Sequence, residues 1–127
     1  MRVCLGQINT TPGDFSGNVE RIKQGILQAK AELCDAVIFP ELSIPGYLSQ
    51  DLIYSSGYVD NNLAALQELI SFSKRIDAPQ LHVLVGYIEV NKGRGKPYFN
   101  SVAVVRNGQI LTRYNKMLLP FYDVFDE

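Results

Sequence analysis

Apolar positions along the chain fall into two rhythms. Residues 36–39 (Ala-Val-Ile-Phe) form an unbroken apolar run that stops at Pro40-Glu41. A short run bounded by turn formers predicts a strand buried on both faces. Pro40 cannot donate to a ladder, so pairing should end there. Residues 2–8 read as a second short, apolar-rich strand. Between the two, apolar side chains at 19, 22, 26, 27, 29 and 33 follow the 3.6-residue period of an amphipathic helix over 19–33. Asp14 or Asn18 is its candidate N-cap. This is a β-α-β unit, which implies parallel strands and a right-handed crossover.

The same alternation continues. Residues 50–54 suggest one helical turn, and 59–76 a long helix with apolar positions 59, 63, 66, 69, 70, 72 and 76, ended by Asp77-Ala78-Pro79. Residues 81–90 predict a third strand. A Gly-rich polar turn, 92–97, precedes two strands, 99–106 and 109–114, joined across Asn107-Gly108, a strong hairpin signal. The order β-α-β-α-β-β-β argues an α/β fold with a mixed sheet and helices on one face.

Composition narrows the class. With 127 residues, 46% hydrophobic and 20% charged, and a net charge of −1, the chain suits one globular domain. No basic stripe points to nucleic acid. No apolar run approaches the roughly 20 residues that span a bilayer. A strand starting at Arg2 leaves no room for a signal peptide, so a cytoplasmic location is expected. Cys4 and Cys34 have no metal spacing and are expected to be reduced, buried thiols rather than a disulfide. The aromatic tail 121–127 reads as a folded segment cut short.

Glu41 is the first candidate for chemistry, since it sits just past the carboxyl end of a central strand, where open α/β sheets place their ligands. The structural alternative is a loop cap or a surface ion pair. Lys116 follows the last hairpin strand; it either snorkels beside the apolar run 117–119 or is held near a carboxylate. Gly93 and Gly95 lie between two strands with no GKS/T after them, so they read as turn residues. His82, the single histidine, opens a strand without a catalytic neighbour.

Phe39-Pro40-Glu41-Leu42-Ser43, followed by Gly46-Tyr47 and Asp51-Leu52, resembles the glutamate motif of the nitrilase superfamily, and Asn115-Lys116 with Leu119-Pro120 resembles its lysine motif. Within that superfamily, residues 122–127 and the early Gln7, Asn9, Gly13-Asp14 and Gly17-Asn18 are similar to the glutaminase domain of glutamine-dependent NAD+ synthetases. Pro45 and Leu48-Ser49-Gln50 depart from the residues common at those loop positions. The resemblance implies the N-terminal half of an α-β-β-α sandwich. It also implies amide hydrolysis by a Glu-Lys-Cys set, with glutamine as substrate. Glu41 would be the general base, its proton affinity raised by burial. Lys116 would stabilise the oxyanion, Tyr122 would line the glutamine pocket, and Tyr47 would lie near the ammonia exit.

The resemblance places the nucleophilic Cys some tens of residues beyond the Lys, and neither Cys4 nor Cys34 fits that place. Residues 1–127 are therefore expected to be a partial glutaminase domain, inactive alone. Its implied partners are the C-terminal half of the domain and a synthetase domain. No cofactor is implied for the segment itself; ATP and Mg belong to the synthetase domain. A homo-oligomer is expected, because strand edges and the apolar alternation of Phe99, Val102, Val104, Ile110 and Leu111 would lack partners. A stand-alone nitrilase-type amidase fragment and a non-catalytic half-domain remain alternatives.

Overall fold

The computed structural model describes residues 1–47, 52 and 55–116. Five strands form one sheet in the order β1-β2-β3-β4-β5: β1 Val3–Leu5, β2 Ala36–Ile38, β3 His82–Val90, β4 Tyr98–Arg106 and β5 Gln109–Asn115. β1, β2 and β3 run parallel; β3, β4 and β5 are antiparallel. Helices α1 (Phe15–Ala31) and α2 (Tyr58–Arg75) are the two crossovers. Right-handed crossovers that step the same way along a sheet leave both helices on one face. There the core forms, around Ile22 and Ile26 of α1, Leu66 and Leu69 of α2, and Val37, Val83, Val85, Tyr87, Ala103 and Val105 of the sheet. No helix among the described residues is long and apolar enough to cross a membrane.

α1 begins four residues before its apolar period, because Asp14 is the cap: its carboxylate accepts from the Gly17 N–H at 3.1 Å. Asn18 has a different task. It is fully buried; its Nδ2 donates to the carbonyls of Thr11 and Ile44, and its Oδ1 accepts from the Thr11 N–H, each at 2.9 Å. Gly25, costly inside a helix by about 1 kcal/mol, is explained by the ring of Phe39, which would lie 2.7 Å from a Cβ there.

Two sequence expectations change. Cys4 and Cys34 are joined as a disulfide, not held as separate thiols. The fold brings the middle of β1 against the α1–β2 corner, a closeness that a spacing of 30 residues does not reveal. The apolar alternation in the hairpin also divides between two faces. Ile110 packs on the helix-side core, and Phe99 shares the register of Ser101 and Ala103, whereas Val102 and Val104 belong to the outer face. Val3, Leu5 and Ile38 also stand exposed on that outer face. The expected turn at 50–54 lies almost entirely outside the described residues.

β2 is short, so beyond Leu84 the edge of β3 needs other partners. The chain leaving β2 supplies some: the Phe39 N–H donates to the Leu84 carbonyl, and the Ile44 N–H to the Gly86 carbonyl. The Gly86 N–H donates to Ser43 Oγ. Further along, buried Asn62 of α2 acts as a substitute strand. Its Nδ2 donates to the Ile88 carbonyl at 2.7 Å and its Oδ1 accepts from the Ile88 N–H at 3.0 Å. Asn62→Ala should leave both buried backbone groups unpaired and lower stability by about 2–3 kcal/mol. Urea unfolding of the chain checks this: the midpoint should fall while the slope stays unchanged.

Candidate active site

Glu41 belongs to a turn, residues 40–46, whose first residues cross the outer face of β3 at Gly86 before Ile44 enters the helix-side core. Gly86 makes this possible: a Cβ there would stand 2.4 Å from the Leu42 nitrogen and 2.9 Å from the Pro40 oxygen. The turn is fixed from several sides. Leu42 adopts φ 51°, and the Gly46 N–H donates to the Leu42 carbonyl. The Pro45 carbonyl accepts from both Tyr58 Oη and the Gly13 N–H, and Asn18 holds the Ile44 carbonyl. Ser43, Ile44 and Pro45 are buried. Only Glu41 and Pro40 face outward. A carboxylate on so constrained a turn has little freedom left to lose on engaging a ligand.

Lys116 reaches Glu41 through a flaw in the hairpin. After the Asn107-Gly108 turn, Arg106 pairs with Gln109 and Val105 with Ile110, but Val104 pairs with Thr112, leaving Leu111 as a bulge. Were the same residues paired regularly from the turn onward, Asn100 would oppose Asn115, and Lys116 would fall in the register of Phe99, on the helix side. A one-residue shift exchanges the faces of every later side chain. As built, Ser101 pairs with Asn115, and the Lys116 N–H donates to the Asn100 carbonyl at 2.9 Å. Asn100 and Lys116 thus share the outer face with Glu41.

Both converge on one oxygen. Lys116 Nζ lies 2.8 Å from Glu41 Oε1, and Asn100 Nδ2 donates to the same atom at 2.5 Å. An open cleft of about 390 Å³ surrounds them, lined also by Phe39, Pro40, Gly86, Val102 and Tyr114. The Glu41 side chain is 41% exposed and that of Lys116 33%. The burial expected for Glu41 is therefore not supplied by the described residues. Exposed pairs of this kind contribute about 0–1 kcal/mol, so stability is a weak reason for three polar groups to meet here.

Of the four residues singled out from the sequence, two meet. Tyr47 is half-buried in a second cluster with Leu42, Tyr58 and Ile88, and does not line the cleft. Tyr122 lies outside the described residues. Asn100 was not foreseen. Its signal is faint: an amide among the outer-face positions Tyr98, Val102 and Val104 of β4, opposite Lys116 only once the bulge is counted. The remaining candidates behave as turn and surface residues. Asn91 Nδ2 donates to the Arg94 and Lys96 carbonyls around Gly93 and Gly95, and His82 Nδ1 bonds the Gln80 carbonyl.

Glutamine-dependent NAD(+) synthetase of Thermotoga maritima is 35% identical over 127 residues, all of this chain and 21% of that protein. The structure of glutamine-dependent NAD+ synthetase from Acinetobacter baumannii in complex with ADP superposes with a TM-score of 0.79 at 29% identity, covering 98% of this chain and 22% of that one. An amidase from Nesterenkonia sp. shares the fold, with a TM-score of 0.80 at 19% identity over 96% of this chain and 44% of its own. The chain spans about a fifth of the length of the curated synthetases it matches. The family model for carbon-nitrogen hydrolases matches residues 2–126, and the chain belongs to the carbon-nitrogen hydrolase family.

Proposed function

We propose that this segment supplies the base and the oxyanion-stabilising cation of a glutamine amidase that feeds ammonia to NAD+ synthesis. The observation that carries the reading is the 2.8 Å approach of Lys116 Nζ to Glu41 Oε1 across 75 residues of sequence. Relatives in which this segment is a fifth of a glutamine-dependent synthetase support the choice of substrate. In this reading a cysteine thiol from outside residues 1–127 attacks the amide carbon. Glu41 takes the thiol proton and passes it to the departing ammonia, leaving a thioester. Glu41 then activates water, which releases glutamate. The Lys116 ammonium faces the oxyanion of each tetrahedral intermediate and balances the carboxylate between steps. Tyr122 contributes to the glutamine pocket and Tyr47 to the ammonia route. The rest of the domain closes the cleft over Glu41 and covers the apolar outer face; ATP and Mg act only in the synthetase domain.

Neither described thiol can serve as nucleophile. Cys4 and Cys34 are bonded to each other, and Cys4 lines a separate cavity that shares no residue with the cleft around Glu41. The purified 127-residue chain should therefore release no ammonia from glutamine above the blank. Mixing it with a separately made C-terminal half carrying the nucleophile should restore release, with acetamide and other simple amides turned over far more slowly. Ammonia from the chain alone, lost on Cys4→Ala or Cys34→Ala, would overturn the assignment. Preference for simple amides would replace glutamine as the substrate.

A further inference from the structure

The second cavity is chemically unlike the first. Cys4 on β1, Cys34 at the α1–β2 corner and Glu32 at the end of α1 present their ligand atoms within 4.8 Å of one another. Glu32 Oε2 lies 3.6 Å from Cys4 Sγ. A space of about 270 Å³ lined by Cys4, Glu32 and Gln28 opens beside them. No described cation pairs with Glu32.

Backbone bonds hold the arrangement apart from any sulfur–sulfur bond. The Cys34 N–H donates to the Ala29 carbonyl at 2.9 Å and the Glu32 N–H to the Gln28 carbonyl at 3.0 Å. β1 is tied to the corner by the Asp35 N–H on the Arg2 carbonyl, and by the Arg2 N–H on Asp35 Oδ2, each at 2.7 Å. Reduction would therefore leave the sulfurs neighbours. Tetrahedral zinc, with metal–sulfur bonds of about 2.3 Å, needs them about 3.8 Å apart, within side-chain rotation of two Cα atoms 6.3 Å apart.

The charge pattern selects the chemistry. Reactive dithiols sit in electropositive surroundings that stabilise a thiolate. Here a carboxylate stands against the sulfur. Two thiolates and a carboxylate together disfavour the free anions and favour a divalent cation that takes all three. We propose that Cys4, Cys34 and Glu32 form a redox-gated site for a thiophilic divalent cation of the zinc class, open as the dithiol and closed as the disulfide. Opening is thiol–disulfide exchange: two electrons from a dithiol reductant cleave the S–S bond, two protons are taken up, and the reductant leaves as its own disulfide. Binding then exchanges the two thiol protons for one cation, with Glu32 as third ligand and water reaching the fourth position through the cavity.

The test uses the whole chain, reduced with a non-thiol phosphine, freed of it, and titrated with Zn2+ or Co2+ without oxygen. One equivalent should bind, with about two protons released per ion in weak buffer and a thiolate-to-cobalt absorption band. The disulfide form should bind none. Cys4→Ser and Cys34→Ser should each weaken binding by about a hundredfold and dim the band. Glu32→Gln, an exposed change that leaves the fold intact by circular dichroism, should weaken it by about tenfold or more. Equal binding by oxidised and reduced chains would overturn the proposal, as would binding that survives either serine variant or an absence of binding by the reduced chain. Unchanged affinity in Glu32→Gln would overturn the three-ligand assignment.

Discussion

Replacing Gly86 by valine is expected to be among the most damaging single changes to this fold. The added Cβ would stand 2.4 Å from the Leu42 nitrogen and 2.9 Å from the Pro40 oxygen. Both are backbone atoms, in a turn fixed by Asn18, Ser43 and Tyr58, so no flexible side chain can swing aside. The turn must lift or β3 must bow. Overpacking of this kind costs about 1–3 kcal/mol. Lifting also breaks the bond from the Gly86 N–H to Ser43 Oγ and that from the Ile44 N–H to the Gly86 carbonyl, at about 1 kcal/mol each. A total near 4 kcal/mol is a large share of the 5–15 kcal/mol typical of a domain. Thermal unfolding should show a midpoint lower by about 15 °C or more, while Gly93→Ala, in the exposed β3–β4 turn, should move it little. A Gly86→Val midpoint within about 2 °C of the parent would mean that the turn does not rest on the sheet as described.

Most of the fold was legible because its determinants are local. The helix periods at 19–33 and 59–76, the apolar run at 36–39 and the Asn107-Gly108 turn each announce an element within a few residues. Crossover handedness then places both helices on one face without long-range information. What was not legible depends on contacts between distant residues. Asn18 reads as a cap from its place before an apolar period, yet its amide is spent on Thr11 and Ile44. Asn62 looks like an ordinary helix-surface residue, yet it completes the edge of β3. Gly86 reads as a weak point in a strand; its use appears only once the turn at 40–46 lies across it. The Cys4–Cys34 bond joins elements that the sequence places 30 residues apart.

The site shows the same division. Glu41 stood out because a proline stops its strand, and strand ends are where such folds put ligands. That Lys116 points toward Glu41 rests on one extra residue, Leu111. Hairpin counting from Asn107-Gly108 alone predicts the other face. Alternation within residues 109–115 does not betray the bulge, because Leu111 and Ile110 are both apolar and either suits the helix side. Bulges near functional sites re-aim side chains, and this one brings Asn100 and Lys116 to a single carboxylate oxygen.

Glu41→Gln is expected to abolish amide turnover in the assembled enzyme while leaving the chain folded. Its side chain is 41% exposed and its ion pair with Lys116 is open to solvent, so the pair contributes at most about 1 kcal/mol to stability. Urea midpoints of the parent, Glu41→Gln and Lys116→Met chains should then agree closely. Turnover should not. Loss of the base removes a proton transfer worth about 10²–10⁴ in rate at two successive steps, so ammonia release by Glu41→Gln should fall by about a thousandfold or more. Lys116→Met, which removes an oxyanion partner, should lose about 10²–10³ in kcat with a smaller change in KM. Because the two act on the same intermediate, the double variant should be little slower than the slower single one. Multiplicative losses would indicate that Lys116 works apart from Glu41. Turnover by Glu41→Gln within about threefold of the parent, in a chain of unchanged stability, would remove Glu41 from the chemistry altogether.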